Sequence, residues 1–98
     1  MDSTGAIPIV KVSFPIALRA RIGNRDAVMA AGRTVREIID ALDQDFPGLH
    51  FNLCHETGEL RPFVNIFLNR ENIRYLQGLD TPVSPESTLY ILQSVAGG

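Results

Sequence analysis

One amphipathic helix limits the architectures that this sequence can adopt. Thr34 and Glu37 have the T-x-x-E spacing of a capping box, in which each side chain satisfies a free backbone amide of the first turn. The Pro47-Gly48 pair ends the segment, because proline cannot continue a helix and glycine suits the following turn. One helix with one apolar stripe needs one sheet to cover it. The stripe consists of Val35, Ile38, Ile39, Leu42 and Phe46.

Two strands are predicted before this helix. Val10, Val12 and Phe14 alternate with polar residues, which is the period-two pattern of a half-buried strand. The Gly23-Asn24 pair indicates a turn, and a second strand is predicted near residues 26–30.

Two or three further strands are predicted after the helix. Residues 49–60 are predicted to form a loop or a short helical turn. Residues 63–69 then alternate between two faces, with Val64, Ile66 and Leu68 on one and Phe63, Asn65, Phe67 and Asn69 on the other. Residues 73–79 are predicted to form a short strand with a bend, and residues 88–93 the last strand. This order predicts an α+β fold in which one main helix covers a sheet of four to five strands.

Size, charge and hydropathy exclude several classes of protein. The 98 residues suffice for one domain, which we place at 8–93, between a leader at 1–7 and a tail at 94–98. The net charge is −2 with a single lysine, and no basic stripe suits nucleic acid. No apolar run approaches the roughly 20 residues of a membrane span, and the N-terminus does not resemble a secretory signal. We expect a cytoplasmic protein, monomeric when free, with no nucleic-acid or membrane partner.

The predicted tail carries the chemistry. It runs through Ser94, Val95, Ala96, Gly97 and Gly98, and five extended residues span roughly 16 Å at about 3.3 Å each. Two glycines suit a backbone that must thread a channel too narrow for a β-carbon. The Gly98 carboxylate is ionised at neutral pH and is a poor electrophile. Its use in a reaction therefore requires activation, most simply adenylation by a partner enzyme that consumes ATP.

Four segments in the second half share a distinctive pattern. They are residues 63–69, 71–82, 89–92 and 95–98. Together they resemble the ubiquitin-like sulfur-carrier family, which includes the small subunit of molybdopterin synthase, the thiamine-pathway carrier and the carrier of a cysteine-synthesis route. The chain looks most like the cysteine-route carriers. The resemblance implies a β-grasp fold with a mixed sheet and a flexible C-terminal diglycine tail.

The same resemblance implies a function and its partners. Gly98 matches the residue that carries a thiocarboxylate, and Gly97 matches the glycine before it. A ubiquitin-activating-type adenylyltransferase would use ATP and magnesium to activate Gly98, and a biosynthetic enzyme would accept the sulfur. The chain itself would bind no cofactor and would not be an enzyme. Two alternatives stay open: a protein modifier that forms isopeptide bonds through Gly98, and a non-covalent β-grasp interaction module.

Three apolar residues are predicted on the sheet face opposite the helix. Phe67, Tyr90 and Leu92 alternate with core residues on strands that we expect to be neighbours close to the tail. A contiguous exposed apolar patch marks an interface more often than not. We therefore expect these three residues to form the docking patch for partner enzymes.

A cluster of His50, Cys54 and His55 raises the question of a metal site. A structural zinc site needs four protein ligands and a catalytic one needs three, and the sequence has no further cysteine or histidine. We predict no metal site here, and we expect Cys54 to pack inward.

Overall fold

The computed structural model describes residues 6–94. Most of the predicted leader at 1–7 and of the predicted tail at 94–98 therefore lies outside the described residues. Within residues 6–94, no helix is both long enough and apolar enough to cross a membrane.

A five-stranded mixed sheet forms the framework of the fold. Its strands lie in the order β2-β1-β5-β3-β4. The central pair, β1 and β5, is parallel, whereas all other neighbouring pairs are antiparallel. This arrangement agrees with the α+β, β-grasp expectation. The strands are β1 (Ile9–Ser13), β2 (Ala27–Ala31), β3 (Val64–Leu68), β4 (Glu71–Asn72) and β5 (Thr88–Gln93).

The main helix, α1, spans Val35–Asp45, as the capping signals predict. The Thr34 hydroxyl accepts a hydrogen bond from the Glu37 amide at 3.2 Å. The return bond differs from a regular capping box, because the Glu37 carboxylate accepts from the amide of Arg33 at 2.8 Å, one residue before the N-cap. The predicted stripe faces the sheet: Val35, Ile38, Ile39 and Leu42 are buried, and Phe46 packs against them.

A short helix, α2 (Leu49–Leu53), follows α1 and confirms the predicted helical turn. One carboxylate oxygen of Asp43 accepts hydrogen bonds from the amides of Gly48 at 3.1 Å and His50 at 2.9 Å. The chain reverses at Gly48, which adopts a left-handed conformation with φ of 95°. The Asp43 oxygen thus satisfies two backbone amides at this reversal. The first turn of α2 is thereby tied to the last turn of α1.

The core lies between the sheet and the two helices. Alternate residues of β1, β3 and β5 point into it, and the helices close it from one side. The strands contribute Val10, Val12, Val28, Ala30, Val64, Ile66, Leu89 and Ile91.

One element before α1 was not predicted. The turn at Gly23-Asn24 is confirmed, with both residues at positive φ, and β2 lies within one residue of its predicted bounds. The residues before the turn, Ile16–Ile22, form a 3₁₀ helix that buries Leu18 and Ile22. These two buried residues are four positions apart in the sequence.

The predicted strand at residues 73–79 is wrong. The structure has a 3₁₀ helix at Ile73–Tyr75 and another at Gly78–Asp80. The strand β4 ends at Asn72, because the Asn72 side chain caps the first of these helices by accepting a hydrogen bond from the Arg74 amide at 2.9 Å. The Arg74 side chain then bonds to the free edge of β3, where a longer β4 would have paired.

Candidate functional site

The pairing of β3 with β5 places the predicted docking patch on one surface. We call the sheet face opposite α1 the outer face. Phe67 pairs with Tyr90, and Asn65 pairs with Leu92. Tyr90 and Leu92 are 42% and 48% exposed, whereas Ile91 between them is buried. The three predicted docking residues are therefore neighbours on the outer face, in two consecutive rows of the ladder.

These residues surround an open hollow of about 340 Å³. Phe67, which is partly buried, and Arg70 of the β3–β4 turn, which is exposed, both line it. An apolar depression with a cationic residue beside it suits a partner that presents an apolar side chain next to an acidic one. The lining residues are Phe67, Asn69, Arg70, Tyr90 and Leu92.

Phe63 extends this surface toward the C-terminal segment. Its carbonyl accepts a hydrogen bond from the Ser94 amide at 2.8 Å, so the β3–β5 register continues for one more pair. Phe63 is 45% exposed and lies in line with Asn65 and Phe67. The alternation of residues 63–69 places Phe63 on this face, but only the pairing with Ser94 shows that it adjoins the exit of the chain.

The predicted reactive end lies outside the described residues. This holds for Gly98 and for Gly97, Ala96 and Val95 before it. Ser94 is the last described residue and stands four positions before Gly98. We call Ser94 the tail root, because its amide makes the last hydrogen bond of the described C-terminal segment.

Cys54 is buried, as predicted, with 1% of its surface exposed. Burial raises the pKa of the Cys54 thiol, and this effect outweighs the opposite influence of the Arg36 and Arg61 guanidinium groups. The thiol is thus protonated at neutral pH, and a buried, protonated thiol is a poor nucleophile.

The two histidines lie on either side of Cys54 along the chain. The His50 ring stands edge-on to the Phe51 ring at 5.7 Å, and the His55 amide bonds to the Glu59 carbonyl at 2.8 Å. In the described part of the chain, no group of three His, Cys, Asp or Glu side chains is placed to hold a metal ion.

Comparison with known proteins supplies the family. The sequence profile of the ThiS family matches residues 12–98, which include four whole strands and the end of β1, both helices and the two terminal glycines. The chain belongs to the ThiS family. The resemblance to the ubiquitin-like sulfur carriers is thereby confirmed.

Individual relatives agree with the ThiS assignment. The chain is 36% identical over 91 residues to the sulfur carrier protein CysO of Mycobacterium tuberculosis, covering 91% of this chain and 98% of that protein. A chain of the Amycolatopsis orientalis BexX/CysO complex superposes with a TM-score of 0.84 at 40% identity, covering 91% of this chain and 99% of that one. The small archaeal modifier protein 1 of Methanosarcina acetivorans gives a TM-score of 0.80 at 30% identity, covering 96% and 100%. The two structural superpositions confirm the predicted β-grasp fold of this chain.

Proposed function

We propose that this chain is a sulfur carrier and that the carboxylate of Gly98 is its working group. A partner adenylyltransferase attaches AMP to Gly98 with ATP and magnesium, and pyrophosphate leaves. A sulfur nucleophile from a donor then displaces AMP and leaves a thiocarboxylate. The thiocarboxylate sulfur passes to an acceptor in a biosynthetic enzyme. Because the reaction consumes ATP, we assign it to the cytoplasm.

The observation that carries this proposal is the outer face and its continuity with the tail root. The docking patch lies on β3 and β5, and the same two strands end where Phe63 pairs with Ser94. A partner bound on this face would therefore receive the residues beyond Ser94 directly. The family match through residue 98 and the relatives named CysO support the carrier role and favour the cysteine route over the molybdopterin and thiamine routes.

The chain acts in this scheme as a co-substrate, and the ATP and magnesium belong to its partner. A relative crystallised in the BexX/CysO complex supports the expectation that such carriers dock on partner proteins. Cys54 is not part of the scheme, because its thiol is buried and protonated and is therefore a poor nucleophile.

A matched pair of tail variants tests the role of Gly97 and Gly98. Deleting Gly98, or replacing Gly97 by valine, should abolish ATP-dependent adenylation by the cognate enzyme, because a β-branched residue does not fit a channel shaped for glycine. The thermal stability should stay unchanged. The Ser94→Ala variant is the control, since its backbone bond to Phe63 is retained. Normal activation of Gly97→Val would contradict the narrow-channel explanation.

Likeness to a small archaeal modifier protein keeps protein conjugation as a second candidate. The same activated Gly98 would then form an isopeptide bond with a lysine of another protein. Incubation of the chain with cell extract and ATP distinguishes the two, since a modifier yields protein conjugates that survive thiol reduction. A chain that gives neither conjugates nor sulfur on Gly98 would be a non-covalent interaction module.

A further inference from the structure

We propose that Arg74 is a positioning residue that fixes the point at which the C-terminal segment leaves the fold. The inference rests on the proposed function of Gly98. It starts from the edge of β3. The strand β4 pairs only with Phe67 and Leu68, so the first half of β3 has no strand on that side. The side chain of Arg74 bonds to this part of the edge instead.

One nitrogen of Arg74 bridges the two ends of a turn. Its Nη2 donates to the Arg61 carbonyl at 2.9 Å and to the Val64 carbonyl at 2.8 Å. The turn between them, with Pro62 at its second position, is closed by the Val64 amide donating to the Arg61 carbonyl at 3.0 Å. The guanidinium therefore holds the first and last residues of one β-turn at a fixed separation.

The turn is held from its other side as well. The Arg61 amide donates to the Leu53 carbonyl at 2.9 Å, and Arg61 Nε donates to the Phe51 carbonyl at 2.8 Å. These bonds attach the turn to α2. Arg61 and Arg74 together thus connect the turn to two separate elements.

The third residue of this turn is Phe63, whose carbonyl accepts the hydrogen bond from the tail root at 2.8 Å. The position of that carbonyl follows from the geometry of the turn. A shift of the turn therefore changes the direction in which the chain leaves Ser94. In the proposed complex the partner's channel holds the four residues after Ser94 extended, over about 13 Å at roughly 3.3 Å each, so the position of Ser94 decides whether Gly98 reaches the reacting group.

This arrangement separates two jobs in activation. The proposed docking on the outer face depends on Phe67, Tyr90 and Leu92, and Arg74 does not line the hollow that these residues surround. Arg74 acts on where the tip arrives once docking has occurred. Losing its bonds should therefore lower kcat for adenylation with little change in KM for the carrier, because misplacement of a reacting group slows the step without weakening remote binding.

Three variants test the inference with the full-length chain. Arg74→Met keeps a long side chain and removes both bonds, and kcat should fall about tenfold or more with KM changed by less than about twofold. Arg74→Lys should restore only part of kcat, because its ammonium group can donate to both carbonyls but its side chain is one bond shorter than the path to Nη2. Arg25→Met is the matched control, since Arg25 is exposed in the β1–β2 connection.

Amide hydrogen exchange gives a readout that needs no enzyme. In Arg74→Met the Ser94 amide should exchange about tenfold faster, while the Leu89 amide in the same strand keeps its rate. Faster exchange at both amides would mean general destabilisation and would overturn the inference. An unchanged exchange rate of the Ser94 amide in Arg74→Met would also overturn the inference. So would a kcat of Arg74→Met equal to that of the wild type. If the wild-type chain is never adenylated, the proposed function fails, and the exchange result alone decides the positioning role.

Discussion

The two faces of the sheet are built from the same strands and do different work. On the side of α1, Ile66, Leu89 and Ile91 are at most 2% exposed. On the outer face, Tyr90 and Leu92 are 42% and 48% exposed, although each is adjacent in sequence to one of those core residues. The difference shows that the apolar residues of the outer face are not part of the core between the sheet and α1. The apolar outer face is available for a partner.

The largest effect should follow from a change on the helix side. Ile66→Ala should lower the free energy of unfolding by roughly 2–5 kcal/mol, because it leaves a cavity in a closely packed core. Urea unfolding followed by circular dichroism measures this loss. A loss below about 1 kcal/mol would show that the site collapses around the smaller side chain, and the contrast between the faces would weaken.

The neighbouring residue on the same strand should show the opposite behaviour. Phe67→Ala should weaken binding to the activating enzyme by about 2 kcal/mol or more, as expected for a buried aromatic anchor at an interface. It should cost folding less than Ile66→Ala, since Phe67 is only partly buried in the free chain. Isothermal titration calorimetry with the partner and urea unfolding of both variants measure the two quantities.

A specific pattern of results would break this comparison. If Phe67→Ala destabilised the fold as much as Ile66→Ala and left partner affinity intact, Phe67 would be a core residue and the docking patch would be misplaced. Lys11→Ala, which changes the outer face on β1, is the control for general effects of that face. It should leave both the stability and the affinity close to those of the wild type.

The smallest predicted effect concerns pH and the buried thiol on the helix side. Since burial raises the pKa of Cys54 above its ordinary value of 9.0, the folded state keeps the proton longer than the unfolded state. The protonated thiol therefore stabilises the folded state fully at pH values below 9.0, and this stabilisation is lost as the pH rises through the raised pKa of the folded state. The stability difference between wild type and Cys54→Ala should therefore narrow above about pH 9 in urea unfolding. A difference that stays constant with pH would place the thiol in contact with water.

The sequence predicts the strongly periodic parts of the fold and misses the parts set by tertiary contacts. The helix α1 and the strands β3 and β5 follow from apolar spacing and capping residues, because these signals are local. The 3₁₀ helix at Ile16–Ile22 escaped prediction, since the arginines among its residues hide the spacing of its two inward side chains. The strand predicted at residues 73–79 is replaced by 3₁₀ helices for a local and a non-local reason. The Asn72 side chain caps the first of these helices, and the Arg74 side chain bonds to carbonyls ten and thirteen positions away.

The candidate site divides in the same way. Alternation along two strands predicts that the three residues of the proposed docking patch share one face, because this needs only a period of two. The position of Phe63 beside Ser94 depends on the register between β3 and β5, and the proposed role of Arg74 depends on a turn closed in space. Neither relation has a signature in the order of residues.

The chemistry at Gly98 is the central claim, and mass spectrometry tests it directly. The full-length chain is incubated with its activating enzyme, ATP, magnesium and a sulfur donor, and the mass of the C-terminal peptide is then measured. We predict the mass gain of one oxygen replaced by sulfur on the peptide that ends at Gly98, and none when Gly98 is deleted. Sulfur found only on Cys54, or an unmodified Gly98 after incubation with the activating enzyme, would contradict the proposal.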